Sequence, residues 1–494
     1  MSTQAVIAAN RFGLGARPGE IAAIGSDARG WLRAQLVPER GLPAPLAALP
    51  STADDLAEFQ KWLRDLAASA AAPPSSMSGM ADDAGAAASG RAPGVESEFR
   101  RRFAPRYAAA LKARFDVSTG TARPFYERLV HFWSNHFVVS GTKPAAVALP
   151  PSFERDAIRP HVTGRFVDML LASSKHPAML VYLDNVNSVG PSSHVGRNPE
   201  LRRAFVAQAF VPPRGTGLNE NLAREILELH TVGVRSGYTQ ADVTSFARVL
   251  TGWTVARPPR VRGAQLAARR LSASGLFDFD PDAHEPGTHV VLGRAYTGED
   301  TAQGEAVLRD LARLPVTAEF IAHKLVRHFI ADDPPREAVL RLAQVFTDTE
   351  GDLAEVGKAL VDLPQAWAVA PRKFKTPEEY LVSALRALPA LELDGGQLAA
   401  AVTALGQAPY RAPGPNGWPD VEREWLGPDA IWKRFQWANE AARRVAASVP
   451  DPERLALDVL GASLGEETRS AIRRADSAVQ GLTLLLASAE FQRR

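Results

Sequence analysis

The sequence predicts a mainly α protein: a large multi-helix domain with a small β-hairpin and a flexible Ala/Ser/Gly-rich insertion. Three observations carry this. Apolar residues recur at helical spacing through most of the chain, as in residues 124–139 (PFYERLVHFWSNHFVV) and 336–346. Proline, Asp and Thr stand where those stretches begin, and glycine stands where one of them ends. Strand-like patterning is confined to LFDFD and HVVLG, which PDAHEPGT joins into an expected hairpin at about 276–293.

Taken in order, residues 1–66 read as an N-terminal helical segment. Pro18, Gly19 and Glu20 open one short helix. Asp27 opens a second that runs through Trp31, Leu32 and Leu36, the two leucines one turn apart. Residues 67–98, beginning AASAAAPPSSMSGMADDAGAAASGRAPG, hold few large apolar side chains. Such a stretch buries too little surface to offset its ordering entropy, so it reads as the flexible insertion. Residues 99–405 form a central helical region. Its expected helices cover 124–139, 152–174, 220–231 (stopping at Gly233) and 239–250. Asp242 falls in the first turn of the last of these, where a carboxylate suits the helix dipole. A Pro/Gly-rich loop over 186–218, with room for a short helix, and an arginine-bearing loop over 255–275 separate these elements. The Pro/Gly-rich GQAPYRAPGPNGWPD opens a C-terminal helical segment, 406–494, expected to pack on the same domain.

The chain has 494 residues, 46% hydrophobic and 23% charged, an ordinary globular composition. A formal net charge of +2 is too balanced to imply a nucleic-acid partner. Cysteine is absent, which excludes disulfides, thiolate metal sites and cysteine nucleophiles, and leaves any metal to His, Asp and Glu. The start, MSTQAVIAANRFGLGARPGE, lacks the basic start, the long apolar run and the small-residue cleavage site of a signal peptide. No stretch approaches the roughly 18 apolar residues of a membrane span. The default expectation is therefore a cytoplasmic protein without a membrane span.

All ten histidines fall between His131 and His328, which directs attention to the middle of the chain. His136 shares a helix face with Leu129, Phe132 and Trp133 and should be buried; it reads either as a hydrogen-bonded core histidine or as a ligand or base. In NENLAREILELHTVG, Asn221, Glu225 and Glu228 lie within about 60° of one another on a straight helix, beside Leu222, Ile226 and Leu229. The two carboxylates can bind a cation or act as acid and base. They can equally form surface ion pairs through Arg224, which stands four residues from both Glu220 and Glu228. The hairpin loop offers Asp278, Asp280, Asp282, His284 and Glu285. It is not a calcium loop, because His289 stands where the bidentate Glu is required. No GxSxG, Walker, HExxH or GxGxxG motif stands in a supporting context.

The segments RFGLGARPGE, HFWSNHF, HPAMLVYLDN, NENLAREILELHTVG with YTQADVTSFARVLTGW, FDFDPDAHEPG, KFKTPEEY, GWPD and LLLASAEFQRR occur in this order. Together they resemble the bacterial family called domain of unknown function 1800, from about Asn10 to the last residue. Many members read Trp-His-Asn-His where this chain has Trp133-Ser134-Asn135-His136, so no role of that first histidine carries over. The resemblance implies no reaction. It implies a partner: genes of the family often neighbour those of a sulfatase-like family of unknown function, numbered 1501, whose members usually carry a twin-arginine export signal.

Two functional expectations follow. The first is a metal- or acid/base-assisted enzyme with a central His/Glu/Asp pocket. Its catalytic candidates are His136, Glu225 and Glu228, and its candidate ligands for a divalent metal are His136, Asp184, Glu225, Glu228 and His284. The second is a non-catalytic partner or escort of a sulfatase-like protein, which would take the chain to the periplasm by co-export.

Overall fold

The computed structural model describes residues 2–71, 93–143, 146–207, 217–234, 236–255, 276–298, 300–368 and 373–494. Helix starts follow the local chemistry. Proline occupies the first turn of Pro124–His136, Pro315–Phe329, Pro377–Ala387 and Pro428–Val445, where its missing N–H costs nothing. Thr239, Thr376 and Asp394 form reciprocal capping boxes with Asp242, Glu379 and Gln397. Asp27 caps Ala28–Arg33 by accepting from the Gly30 N–H at 2.8 Å. Among the described residues no helix is long and apolar enough to cross a membrane.

The apolar helix faces merge into one core that takes in Ala5, Phe12, Trp133, Ile226, Phe329, Tyr380 and Phe491, residues from both ends of the chain. Phe12 sits at an aromatic junction, its ring centroid 5.5 Å from Phe125, 5.9 Å from Phe329 and 5.5 Å from Trp367. Pro315–Phe329 packs on Arg336–Asp348, Pro428–Val445 on Ala478–Ala487, and Gly395–Leu405 on Pro93–Gly120. The N-terminal RFGLG segment is tied to distant helices through its carbonyls. Gly13 O accepts from Arg128 Nε at 2.5 Å, Leu14 O from Ser383 Oγ at 2.9 Å, and Gly15 O from Arg386 Nε at 2.7 Å.

Several elements depart from expectation. The single helix expected over 152–174 is broken into Pro150–Phe153, a π turn over Glu154–Ile158, a 3-10 turn over Arg159–His161, and Phe166–Lys175. Pro160 lacks the donor a continuous helix needs. Glu154, in the π turn, and Arg159, in the 3-10 turn after it, lie in the core at 2% and 1% exposure. Within 186–218, His194–Arg197 and Pro199–Ala207 are helical, and 208–216 lie outside the described residues. Of the expected insertion, 67–71 close the Thr52–Ala71 helix, 93–98 open Pro93–Gly120, and 72–92 lie outside the described residues, as do the arginines of 256–275.

The two expected strands form but do not pair with each other. Strand β1 (Trp253–Val255) pairs antiparallel with β2 (Phe277–Phe279), and β3 (His289–Val291) pairs with β4 (Arg294–Tyr296) in a small hairpin. Between β2 and β3 the chain folds on itself. Asp280 O accepts from Ala283 N at 3.2 Å, and Thr251 Oγ1 accepts from Glu285 N at 2.7 Å, so the two strands diverge. The tight turn lies instead at Leu292–Gly293, both with positive φ (49° and 77°), the geometry of a two-residue hairpin. Asp242 Oδ1 holds it by accepting from Leu292 N at 2.7 Å.

Candidate functional site

A cavity of about 530 Å³ opens where four segments meet. The last turns of Pro124–His136 bring His131, Ser134, Asn135 and His136; Pro315–Phe329 brings Lys324, Arg327 and His328; the start of Pro377–Ala387 brings Glu378 and Glu379; and the Pro/Gly-rich 409–424 stretch brings Tyr410, Trp418 and Asp420. That last stretch has little regular structure and needs an anchor. Asn135 supplies it as a two-way amide clamp: its Nδ2 donates to Trp418 O at 2.9 Å, and its Oδ1 accepts from Trp418 N at 2.8 Å. Gly417 makes the approach feasible. Its φ is +78°, and a Cβ there would fall 2.5 Å from Asn135 O.

Asp420, delivered by this clamp, accepts from His328 Nδ1 through Oδ2 at 2.7 Å. The carboxylate can only accept, so Nδ1 carries the hydrogen and Nε2 of the neutral ring holds its lone pair. Among the described residues Nε2 has no hydrogen-bond partner; Glu379 Oε1 stands 4.0 Å from it. Burial lowers the His328 pKa, opposed by Asp420, so the ring is neutral near pH 7. Burial works to raise the Asp420 pKa, but His328, Lys373 and Arg494 together hold it far below the usual carboxylate range. Lys373 Nζ is 3.1 Å from Asp420 Oδ1.

The other carboxylates around the cavity are also matched. Glu379 is shared by Arg128 and Arg494, with Arg494 Nη2 2.9 Å from Oε1. Arg114 pairs with Glu154 and, at 2.8 Å, with Glu378; Tyr410 donates to Glu154 Oε1 at 3.0 Å. Behind them His131 contacts Ser118 Oγ at 3.1 Å, and Glu127 holds Arg159 through contacts of 2.5 and 2.9 Å.

Of the five candidate site residues read from the sequence, His136 lines this cavity and Asp184, Glu225, Glu228 and His284 do not. His136 is buried and hydrogen-bonded at both ring nitrogens. Nε2 donates to His230 O at 3.1 Å, and Nδ1 accepts from Lys324 Nζ at 2.9 Å. Burial and then Lys324 lower its pKa well below the ordinary value. Asp184 is held by Lys143 at 2.5 Å. His284 is buried, with Nδ1 donating to Thr251 O at 2.8 Å. Glu225 and Glu228 are half-buried and close enough to repel. Burial, then Glu228, pushes the Glu225 pKa up to about 7. Arg224 bridges Glu220 at 3.2 Å and Glu228 at 3.4 Å, the ion-pair alternative read from the spacing. The straight stripe is altered because the helix widens from Asn221–Glu225 into a π turn over Ile226–His230, turning His230 toward His136. Among the described residues no three His, Asp or Glu side chains are grouped to hold a metal ion, so the five candidates do not assemble as one ligand set.

Sequence reasoning passed over His328, Asp420, Lys324, Arg327 and Trp418. One signal was available: Lys324, Arg327 and His328 stand at i, i+3 and i+4 of an otherwise amphipathic helix and form one polar stripe.

A mainly helical domain with a polar cavity walled by buried ion pairs and a His–Asp pair is the class of protein these features define. The chain belongs to the family described as Protein of unknown function (DUF1800), whose model matches residues 7–493. No curated protein and no solved structure matches it. Three of the segments that carry the resemblance, HFWSNHF, KFKTPEEY and GWPD, meet at the cavity, and RFGLG contributes Leu14 to its wall.

Proposed function

We propose that the chain is an enzyme that uses His328 as its general base and acid on a small polar substrate held in this cavity. The observation that carries the proposal is the His328–Asp420 pair at 2.7 Å, whose imidazole Nε2 has no hydrogen-bond partner among the described residues. A neutral imidazole oriented by a carboxylate takes a proton at Nε2 from a hydroxyl or water, and the carboxylate stabilises the imidazolium that forms. Asp420 is already ionised and stays so, because three cationic or donating partners hold it. The test is turnover of a panel of small esters, amides, phosphate esters and glycosides by the wild-type chain, His328→Gln and Asp420→Asn. Loss of roughly 10²–10⁴-fold in both variants is expected. Turnover that persists in His328→Gln removes the assignment.

One observation favours a second reading, a non-catalytic partner or escort of the sulfatase-like protein. Trp432 and Phe435 stack at 5.7 Å on Pro428–Val445 while 56% and 42% exposed, and Leu426 just before that helix is also exposed. Exposed aromatic pairs of this kind mark interaction surfaces. In this reading Trp432→Ala with Phe435→Ala abolishes co-purification with the sulfatase-like protein, whereas His328→Gln leaves it intact.

A further inference from the structure

We infer that the ligand of this cavity carries an anionic oxygen group, a carboxylate or a phosphate, seated against Lys324 and Arg327. The inference rests on reading the cavity as a small-molecule site, and it adds what the protein recognises there.

Most of the charges around the cavity are already neutralised within the fold. Arg114, Arg128, Glu154, Glu378, Glu379 and Asp420 are consumed in ion pairs with one another or with Arg494 and Lys373, and Asp420 also accepts the His328 hydrogen bond. A cationic ligand therefore finds these carboxylates occupied. Two cations on the wall differ. Lys324 Nζ has a neutral imidazole as its hydrogen-bond partner, His136 Nδ1 at 2.9 Å. Arg327 makes no ion pair among the described residues, and its Nε is a buried donor without an acceptor. The two stand three residues apart on one helix face, where like charges repel unless an anion lies between or above them.

The neutral donors around them have the same bias. Trp418 Nε1 and Ser134 Oγ, both on residues of the cavity wall, also lack a partner among the described residues, as does Nη2 of Arg128. Trp418 Nε1 and both arginine nitrogens can only donate. Leaving such donors buried and unmatched is unfavourable, and an oxygen-rich anion matches them. A guanidinium beside an ammonium is the usual chemistry for holding a carboxylate or phosphate. The same helix turn carries His328, so an anion seated there places the rest of its molecule beside Nε2.

The experiment titrates inorganic phosphate and, separately, acetate into the full-length wild-type chain. It follows the indole N–H resonance of Trp418, assigned by its loss in Trp418→Phe. At least one anion should shift that resonance saturably, and the arm that binds tighter tells phosphate from carboxylate. Arg327→Met should weaken the binding about tenfold or more, the usual size for a lost charge-assisted contact. Arg327 makes no ion pair among the described residues, so this variant is expected to keep the wild-type melting temperature; Lys324→Met serves as the second variant. His328→Gln keeps both cations and should still bind the anion, which separates failure of this inference from failure of the proposed chemistry. The inference is overturned if neither anion moves the Trp418 resonance, or if a folded Arg327→Met binds both as the wild type does.

Discussion

Glu379 joins the fold to the cavity, and Glu379→Gln is the most informative single perturbation of that link. The carboxylate is 9% exposed, between Arg128 at 1% and Arg494 at 0% side-chain exposure. Its Oε2 also accepts from Thr376 N at 2.9 Å and Arg494 Nε at 3.1 Å. Glutamine keeps the shape and the cap but removes the charge. Two buried guanidinium groups then lose their shared counter-charge. Removing one partner of a buried pair costs about 3–5 kcal/mol, a large share of the roughly 5–15 kcal/mol that stabilises a typical domain. Unfolding entropy of about 2.1 cal/mol/K per residue gives about 1 kcal/mol/K for 494 residues unfolding together, so the melting temperature should fall by about 3–5 °C. The two arginines hold the Glu379 pKa far below its ordinary 4.5 although burial works to raise it. A depressed carboxylate stabilises the fold above its unfolded pKa and loses that contribution as pH falls toward the folded value. The difference between wild type and variant should thus be full at pH 7 and shrink below about pH 4.5. Calorimetry of both chains from pH 3 to pH 8 measures it. A variant melting within about 1 °C of wild type at pH 7 refutes the view that Glu379 balances two buried cations.

Three further outcomes are expected. Glu225 is raised to about 7, chiefly by burial, so the folded state holds its proton more tightly than the unfolded state; stability falls as pH rises from about 4.5 to 7, and Glu225→Gln should flatten that fall in urea titrations. Asp420 opposes the burial that lowers the His328 pKa, so in Asp420→Asn the His328 ring resonances should titrate at still lower pH; an upward move contradicts the pairing. Gly417→Ala places a Cβ against Asn135 O at φ +78° and should cost more than about 1 kcal/mol while displacing Trp418, seen as a shifted indole resonance; an unchanged melt and spectrum contradict the clamp.

The sequence was most informative where the physics is local. Asp27, Thr239 and the first-turn prolines set helix starts because capping and a fixed φ need only neighbouring residues. Gly233, at φ +84°, ends the helical run that bears Glu225 and Glu228, as expected. The burial of His136 at 2% exposure follows from its face with Phe132 and Trp133. The strand character of β2 and β3 was legible too, but β1, β4 and the partner of β2 were not, since Phe277–Phe279 can pair with any strand that tertiary folding brings alongside.

The candidate site was beyond local reasoning for the same reason. His328 and Asp420 are 92 residues apart and meet at 2.7 Å; Arg128 and Glu379 are 251 apart, and Asn135 and Trp418 are 283 apart. The π turn at Ile226–His230 shifts side chains that a regular helix would align, and no residue type in NENLAREILELHTVG announces it. Composition, caps and periodicity by themselves determined a cysteine-free, mainly helical chain and the faces its helices would bury. Only the tertiary structure decided which polar residues those faces bring together, because burial is set by the chain's own pattern whereas a cavity is made by whichever distant segments pack around it.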